Sequence, residues 1–364
     1  MSACANASPH SVAVIGGGWY GCHIALTLRS LGFKVKLFEQ NDGLLKAASG
    51  NNQCRLHMGY HYPRHSGTRA QSRSGFKRFV EQYSHLSRPV PYNIYAVPSR
   101  ESLLDYNTYC FIMLSSEMSF SEGAPHDVVT LTNVDGAICT MERVILQDEA
   151  RDYFESVLGD VLELGKRIME VRDTGEGVLV DGERFDYAVD ATWGHYSRPS
   201  VEVIYEPTLL LYFQGPVDFP AVTLVDGPLC SLYPTEVPGL YTLSSVPHTP
   251  LAQCHTPAEA RVVRDTVDEE TIAEKRALME EQVAHYLPHF RRLFRYNGPQ
   301  LAIKTKLVGA HDDRSCYVSR DGRVFSVMSG KIDAVFSATE RILSLLDLND
   351  AQRADGHLSL AHSQ

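Results

Sequence analysis

The most constraining stretch of the chain is its first ordered-looking unit. Ser11-Val-Ala-Val-Ile15 is a short apolar run that opens directly into Gly16-Gly17-Gly18-Trp19-Tyr20-Gly21, a fit to GxGxxG. The apolar run suits a buried parallel strand. A helical pattern follows through Ile24, Leu28 and Leu31 and stops at Gly32, and a second strand over 33–38 ends at Glu39. Each part has a physical task in holding a dinucleotide. Gly16 permits the tight turn, Gly18 lets a pyrophosphate approach the backbone, and Gly21 lets the helix pack close to the strand. Unpaired amides and the positive end of the helix dipole attract phosphates, with Trp19 and Tyr20 in that first turn. Glu39, beside Gln40, is placed to accept hydrogen bonds from ribose hydroxyls, and its charge disfavours a 2′-phosphate. The motif by itself does not separate FAD from NAD.

The 364 residues allow two sizeable cores, and a formal net charge of −10 argues against nucleic acid as a partner. The one basic run, Arg64 to Arg78, is local. Eight scattered cysteines without metal-like spacing predict reduced thiols, a cytoplasmic setting and no metal site. Met1 to His10 lacks the features of a secretory signal, and no apolar run is long enough to span a membrane.

Three later segments bear on the cofactor. Residues 47–68 read AASGNNQCRLHMGYHYPRHSGT, residues 185–194 read FDYAVDATWG, and residues 323–343 read RVFSVMSGKIDAVFSATERIL. In this order they resemble the D-amino-acid-oxidase-like flavoprotein family, which includes glycine oxidase, sarcosine oxidase and L-2-hydroxyglutarate dehydrogenase. The resemblance implies FAD as cofactor. It places Ser49, Asn51, Asn52 and the trio His57-Met58-Gly59 beside the flavin, Ala191, Thr192 and Gly194 under the FAD, and Ile168 near the adenine. It also implies that the amides of Gly330, Lys331 and Ile332 face the flavin N1–C2 carbonyl edge, where a helix N-terminus would stabilise reduced flavin.

The fold class expected is α/β plus α+β, a Rossmann-like FAD-binding domain of discontinuous segments with a substrate domain on a mostly antiparallel sheet. Residues 10–88, 142–200 and 301–348 go to the first, 89–141 and 201–300 to the second, and 349–364 to a disordered tail. Residues 143–158 read as an amphipathic helix, with β-like runs at 92–97, 128–131, 161–164, 168–171 and 177–180. Residues 201–250 are rich in β-branched and aromatic residues, punctuated by turns at Gly215-Pro216, Asp226-Gly227 and Pro238-Gly239. A long helix over 268–287 interrupts that sheet and is expected on its far side.

Flavin oxidation asks little of a protein beyond holding the substrate carbon at the flavin and taking a heteroatom proton. The densest set of suitable side chains is His57, Tyr60, His61, Tyr62 and Arg64. His57, Tyr60 and His61 are candidates for catalysis, Tyr62 and Arg64 for substrate binding. The alternative is that the histidines are structural and the tyrosines fill a domain interface. The family's carboxylate-binding arginine has no counterpart in IKTKLVGAHDDRSCYV, residues 303–318, which offers Lys304, Lys306 and Arg314 instead. Lysine gives a point charge, not a fork. Lys306 could equally assist reaction with oxygen as electron acceptor, and Arg314, Tyr233 and His248 are further substrate contacts. The leading expectation is an FAD-dependent oxidase or dehydrogenase acting on a C–N or C–O bond of a small polar, possibly anionic molecule. The alternatives are a flavin monooxygenase and a non-catalytic FAD-stabilised binding protein.

Overall fold

A computed structural model describes residues 10–125, 128–308 and 316–346. Its first layer is a six-stranded sheet in the order 317–321, 324–328, 187–190, 11–15, 34–38, 162–163. The strands run parallel except for the antiparallel edge pair Tyr317–Asp321 and Val324–Met328. Strand Ser11–Ile15 is central, buried on both faces as its unbroken apolar run requires. On one face Val12, Val14 and Leu37 pack with Ile24 and Leu28 of the helix Trp19–Ser30, Phe154 of the helix Gln147–Leu158 and Phe336 of the helix Val335–Leu345. On the other, Ala13, Ile15 and Phe38 pack with Ile168, Val178 and Phe185, at the antiparallel meander 171–185.

The second layer is an eight-stranded sheet in the order 295–307, 203–214, 240–245, 230–234, 221–224, 93–98, 134–140, 121–122. Its pairs are antiparallel except for 221–224 with 93–98. Alternation along each strand gives it two chemically different faces. Val222, Leu232 and Leu243 pack with Met279 and Val283 of the helix Glu269–Tyr286. Thr223, Ser231 and Ser244 point the other way and line a cleft. The helix begins at Asp268, whose carboxylate accepts from the Thr271 amide.

The Rossmann-like layer with a mostly antiparallel companion is the fold class expected from the sequence. Four local expectations are corrected. Residues 143–145 are not the start of a helix. Val144 and Ile145 are buried in a three-stranded sheet with 55–56 and 87–89, and the helix starts at Gln147. The strand expected at 128–131 lies instead at Val134–Thr140, and the one expected at 168–171 at Val171–Asp173. Residues 301–307, assigned above to the dinucleotide domain, pair along their length with 203–209 of the antiparallel sheet. The tail at 349–364 lies outside the described residues.

Segments remote in sequence meet on the helix Ser66–Tyr83. Gly75 faces the short 3₁₀ turn Ile332–Ala334 so closely that a Cβ on it would stand 1.9 Å from the Asp333 carbonyl oxygen. Gly75→Ala therefore forces helix and turn apart. The expected cost is at least ~1–3 kcal/mol, read as a lower thermal midpoint together with reduced flavin content, since the turn borders the cleft.

His23 is buried on the glycine helix, its Nδ1 2.7 Å from the Tyr83 hydroxyl, and burial, with Arg78 adding to it, lowers its pKa to about 4. The folded protein holds this ring neutral while the unfolded chain takes up a proton below ~6.5. The unfolded state thus binds more protons between those values, and stability falls as pH drops from ~6.5 towards 4, by at most ~1.4 kcal/mol per unit for this group. Denaturant midpoints across that window should show the slope, and His23→Gln should reduce it.

Candidate active site

Both layers border one cleft of about 1320 Å³. That exceeds the ~300–1,000 Å³ of an ordinary small-ligand pocket and leaves room for an elongated dinucleotide with a substrate beside it. At one end lies the glycine turn. Gly16 adopts φ +102°, and Gly21 allows the helix to approach until an added Cβ would stand 1.8 Å from the Gly16 carbonyl. The helix Trp19–Ser30 is preceded by Gly18, with no side-chain cap and no acid in its first turn. Its positive end is thus available to an anion. An added Cβ at Gly18 would meet the Ser49 hydroxyl at 2.9 Å, and the Ser49 oxygen accepts from the Trp19 amide at 3.2 Å. Glu39, buried at the end of the second strand, accepts from the Gly17 amide at 2.6 Å and from the Asn41 amide at 2.8 Å. It thus braces the glycine turn as well as bordering the cleft.

Among the expected cofactor residues, Gly16, Gly18, Trp19, Tyr20, Glu39 and Gln40 line this cleft. So do Ser49, Asn51, Asn52 and His57 from the following loop, and Ile168, Ala191 and Thr192. Gly330, Lys331 and Ile332 close it from the C-terminal side, and the Tyr20 hydroxyl donates to the Lys331 carbonyl at 2.5 Å. Gly21, Met58, Gly59 and Gly194 stand behind the wall, where they set backbone geometry. Gly59 and Gly194 both have positive φ, and the Met58 amide donates to Glu142 at 2.7 Å.

The chemistry candidates separate. His57, His61, Tyr62 and Arg64 come together on the cleft. His57 and His61 rings meet edge-on at 4.3 Å, and His61 lies 4.0 Å from Tyr62. Lys331 is buried, its Nζ 3.1 Å from His57 Nε2 and 3.9 Å over the Tyr62 ring. Burial above all, then the Lys331 and Arg55 charges, hold the His57 pKa well below its ordinary value. Arg64 pairs with Asp226 at 2.5 Å across the cleft.

Four other candidates are not brought to this place. Tyr60 is fully buried and its hydroxyl donates to the Ser119 carbonyl at 2.5 Å. Tyr233 is fully buried and donates to the Arg143 carbonyl at 3.2 Å. Lys306 is paired with the buried Glu206 at 2.5 Å, one pleat away from Lys304, which does border the cleft. His248 sits in the turn after 240–245, outside the lining. In each case a polar tip finds a protein partner or a place in a turn, which spacing alone does not reveal. Arg314 lies outside the described residues.

Arg55 escaped the sequence reading. It lines the cleft with its guanidinium 4.5 Å from the Tyr233 ring centroid and 5.8 Å from that of Tyr95, donating to the Tyr95 hydroxyl at 3.0 Å. Burial opposes its charge, but the two tyrosine oxygens and the Glu142 carboxylate outweigh that and raise its pKa. The signal available was its place two residues before the His-Met-Gly trio. Glu142 and Tyr95 had no such signal, because strands remote in sequence bring them here.

A glycine turn at a helix N-terminus, a buried acid at the end of the next strand and a long two-layer cleft define a dinucleotide-dependent redox protein. The chain belongs to the D-amino-acid-oxidase-like family of FAD-dependent oxidoreductases. The family model described as FAD dependent oxidoreductase matches residues 11–106. The chain is 67% identical over 344 residues to a Fusarium mangiferae protein named FAD-dependent monooxygenase FPY4, covering 94% of this chain and 92% of that one. It is 28% identical over 382 residues to the FAD-dependent monooxygenase kojA of Aspergillus flavus, covering 94% and 86%. Among solved structures it resembles glycine oxidase from Geobacillus kaustophilus, with TM-score 0.69 and 13% identity over 92% of this chain and 94% of that one. It also resembles L-α-glycerophosphate oxidase from Mycoplasma pneumoniae, with TM-score 0.72 and 12% identity over 93% and 95%. FAD is the cofactor that the cleft fits. No described helix is long and apolar enough to cross a membrane.

Gly18→Val places three side-chain carbons at the turn where a diphosphate would approach. Purified variant should retain less than about a tenth of the wild-type flavin absorbance, an effect of ~1.4 kcal/mol or more on binding. Full flavin content would remove this turn from the cofactor site.

Proposed function

We propose that the chain oxidises a C–N or C–O bond of a small, polar, anionic substrate. The observation that carries this reading is Arg55, a half-buried guanidinium on the cleft wall with Lys304 and Lys331 bordering the same space. The acids on this side are already engaged, Asp226 with Arg64 and the buried Glu142 with the Met58 amide, Asn93 and Tyr95. Thr223, Ser231, Ser244 and Gln53 add a hydroxyl and amide lining suited to a polar molecule. FAD, when bound, supplies the two-electron acceptor. The protein orients the substrate through Arg55, excludes water with the Tyr62–Lys331 contact, and offers an imidazole for the heteroatom proton.

A second reading, oxygen insertion, is favoured by the names FAD-dependent monooxygenase FPY4 and kojA carried by two relatives. The readings differ in what reduces the flavin. Under anaerobic conditions, bound flavin should be bleached directly by members of a panel of 2-hydroxy acids, D- and L-amino acids, N-methyl amino acids and amino sugars. Arg55→Met should raise the half-saturating concentration of an active anionic substrate about 10–100-fold with flavin content unchanged, the loss of charge-assisted hydrogen bonding worth ~1.5–3 kcal/mol. Bleaching by NADPH alone would overturn the proposal in favour of oxygen insertion.

A further inference from the structure

The end of the cleft away from the glycine turn is polar inside and apolar at its mouth, the reverse of what water would favour. Its floor carries a row of buried hydroxyl residues in register across strands, Thr223 beside Ser231 and Ser231 beside Ser244. Gln53 Oε1 accepts from the Ser231 hydroxyl at 2.9 Å and from the Ser244 hydroxyl at 3.1 Å. Arg55 borders the same space.

The mouth is built around the turn 226–229. Leu103, Pro228 and Val246 border the cleft there, with Leu103 60% and Val246 65% exposed. Their exposure does not come from a loose loop. The Leu103 amide donates to the Asp226 carbonyl at 2.7 Å, and the Asp226 amide donates to the Ser102 hydroxyl at 3.0 Å. The Val246 amide donates to the Leu229 carbonyl at 2.8 Å, and Gln282 Nε2 donates to the Pro228 carbonyl at 2.8 Å. Charged groups beside the rim are turned to each other. Asp226 pairs with Arg64, and Glu101, two residues before Leu103, lies 3.9 Å from His285. Below the rim, Val225 and Leu229 are buried and also line the cleft.

Apolar side chains scattered singly over a surface are ordinary. Exposed apolar groups flanking one pinned turn at the entrance of a ligand cleft mark a binding surface. The strip runs into the cleft through Val225 and Leu229, and that continuity assigns it to the ligand of the cleft.

We infer that the substrate is amphiphilic: a polar, anionic head reaches Arg55 and the hydroxyl row, and an apolar aliphatic or aromatic substituent lies over Leu103, Pro228 and Val246. This rests on the reading given under Proposed function and narrows its substrate to a molecule polar only at the reacting end. A molecule polar throughout would lose hydration against the rim and gain no partner there. An apolar substituent removes both its own surface and that of the rim from water, so each methylene it buries adds to affinity.

The test is calorimetric titration of FAD-loaded protein with unreactive straight-chain alkanoates, from butyrate to decanoate. Affinity should rise about threefold per added methylene over several carbons, with a heat-capacity change that grows more negative along the series. In the double variant Leu103→Asn, Val246→Asn, with flavin absorbance retained, that gain should fall below about 1.5-fold per methylene. Arg55→Met should instead weaken every member by a similar factor, because it acts on the shared carboxylate. An affinity independent of chain length, no binding of any alkanoate, or the same chain-length dependence in the double variant would overturn the inference. So would a flat series together with a concentration-dependent dimer that the double variant loses, since the rim would then join two copies of the chain. If no amino or hydroxy acid bleaches the flavin anaerobically, the functional reading fails, while the alkanoate series still decides whether the cleft takes an amphiphilic anion.

Discussion

The arrangement depends on one backbone approach. At Gly75 the helix that follows the His-Met-Gly loop lies against the carbonyl of Asp333, at a distance no side chain permits. This contact brings residues near 60 and residues near 330 onto the same wall, and from it follow the Lys331–His57 and Lys331–Tyr62 contacts. Packed backbone is stiff. The cation, the imidazole and the phenol ring are accordingly set against each other by the scaffold and not by their own weak attractions.

Electrostatics divides the cleft in two. At the glycine end, charge comes from amides and a helix terminus, and Glu39 is consumed in bracing the turn. At the far end, charge comes from side chains: Arg55, Lys304, Lys331 and the Arg64–Asp226 pair. His195 lies on the cofactor side with its pKa lowered to about 4, by burial first and then by Arg261 and Arg264. Two imidazoles of the cleft wall, the buried His57 and the half-buried His195, thus both have their pKa lowered by burial and by neighbouring cations.

What could be read from the sequence was what is local. The strand, glycine turn, helix and second strand were legible because each is specified by neighbours within a few residues, and so were the three segments that resemble the flavoprotein family. The helix at 269–286 was legible as one long helix over 268–287. Residues 143–145 were not, because a short run that would extend a helix is instead recruited by two strands distant in sequence. The same limit hid Arg55, Tyr95 and Glu142, whose significance lies in their meeting. Lys304 and Lys306 show the limit at its sharpest. They are equivalent in the chain two residues apart, yet one borders the cleft and the other is neutralised by Glu206.

Among the described residues the longest ladder joins 203–214 to 295–307, and the chain between these strands contributes three more strands and three helices. Closing that segment costs about 4 kcal/mol of chain entropy beyond a constant term, so the ladder is worth forming only when the intervening elements are in place. Lys304 is carried on this ladder. The wall of the cleft that carries Lys304 is therefore part of a long-range ladder, and any ligand gripping it is coupled to the stability of the antiparallel layer.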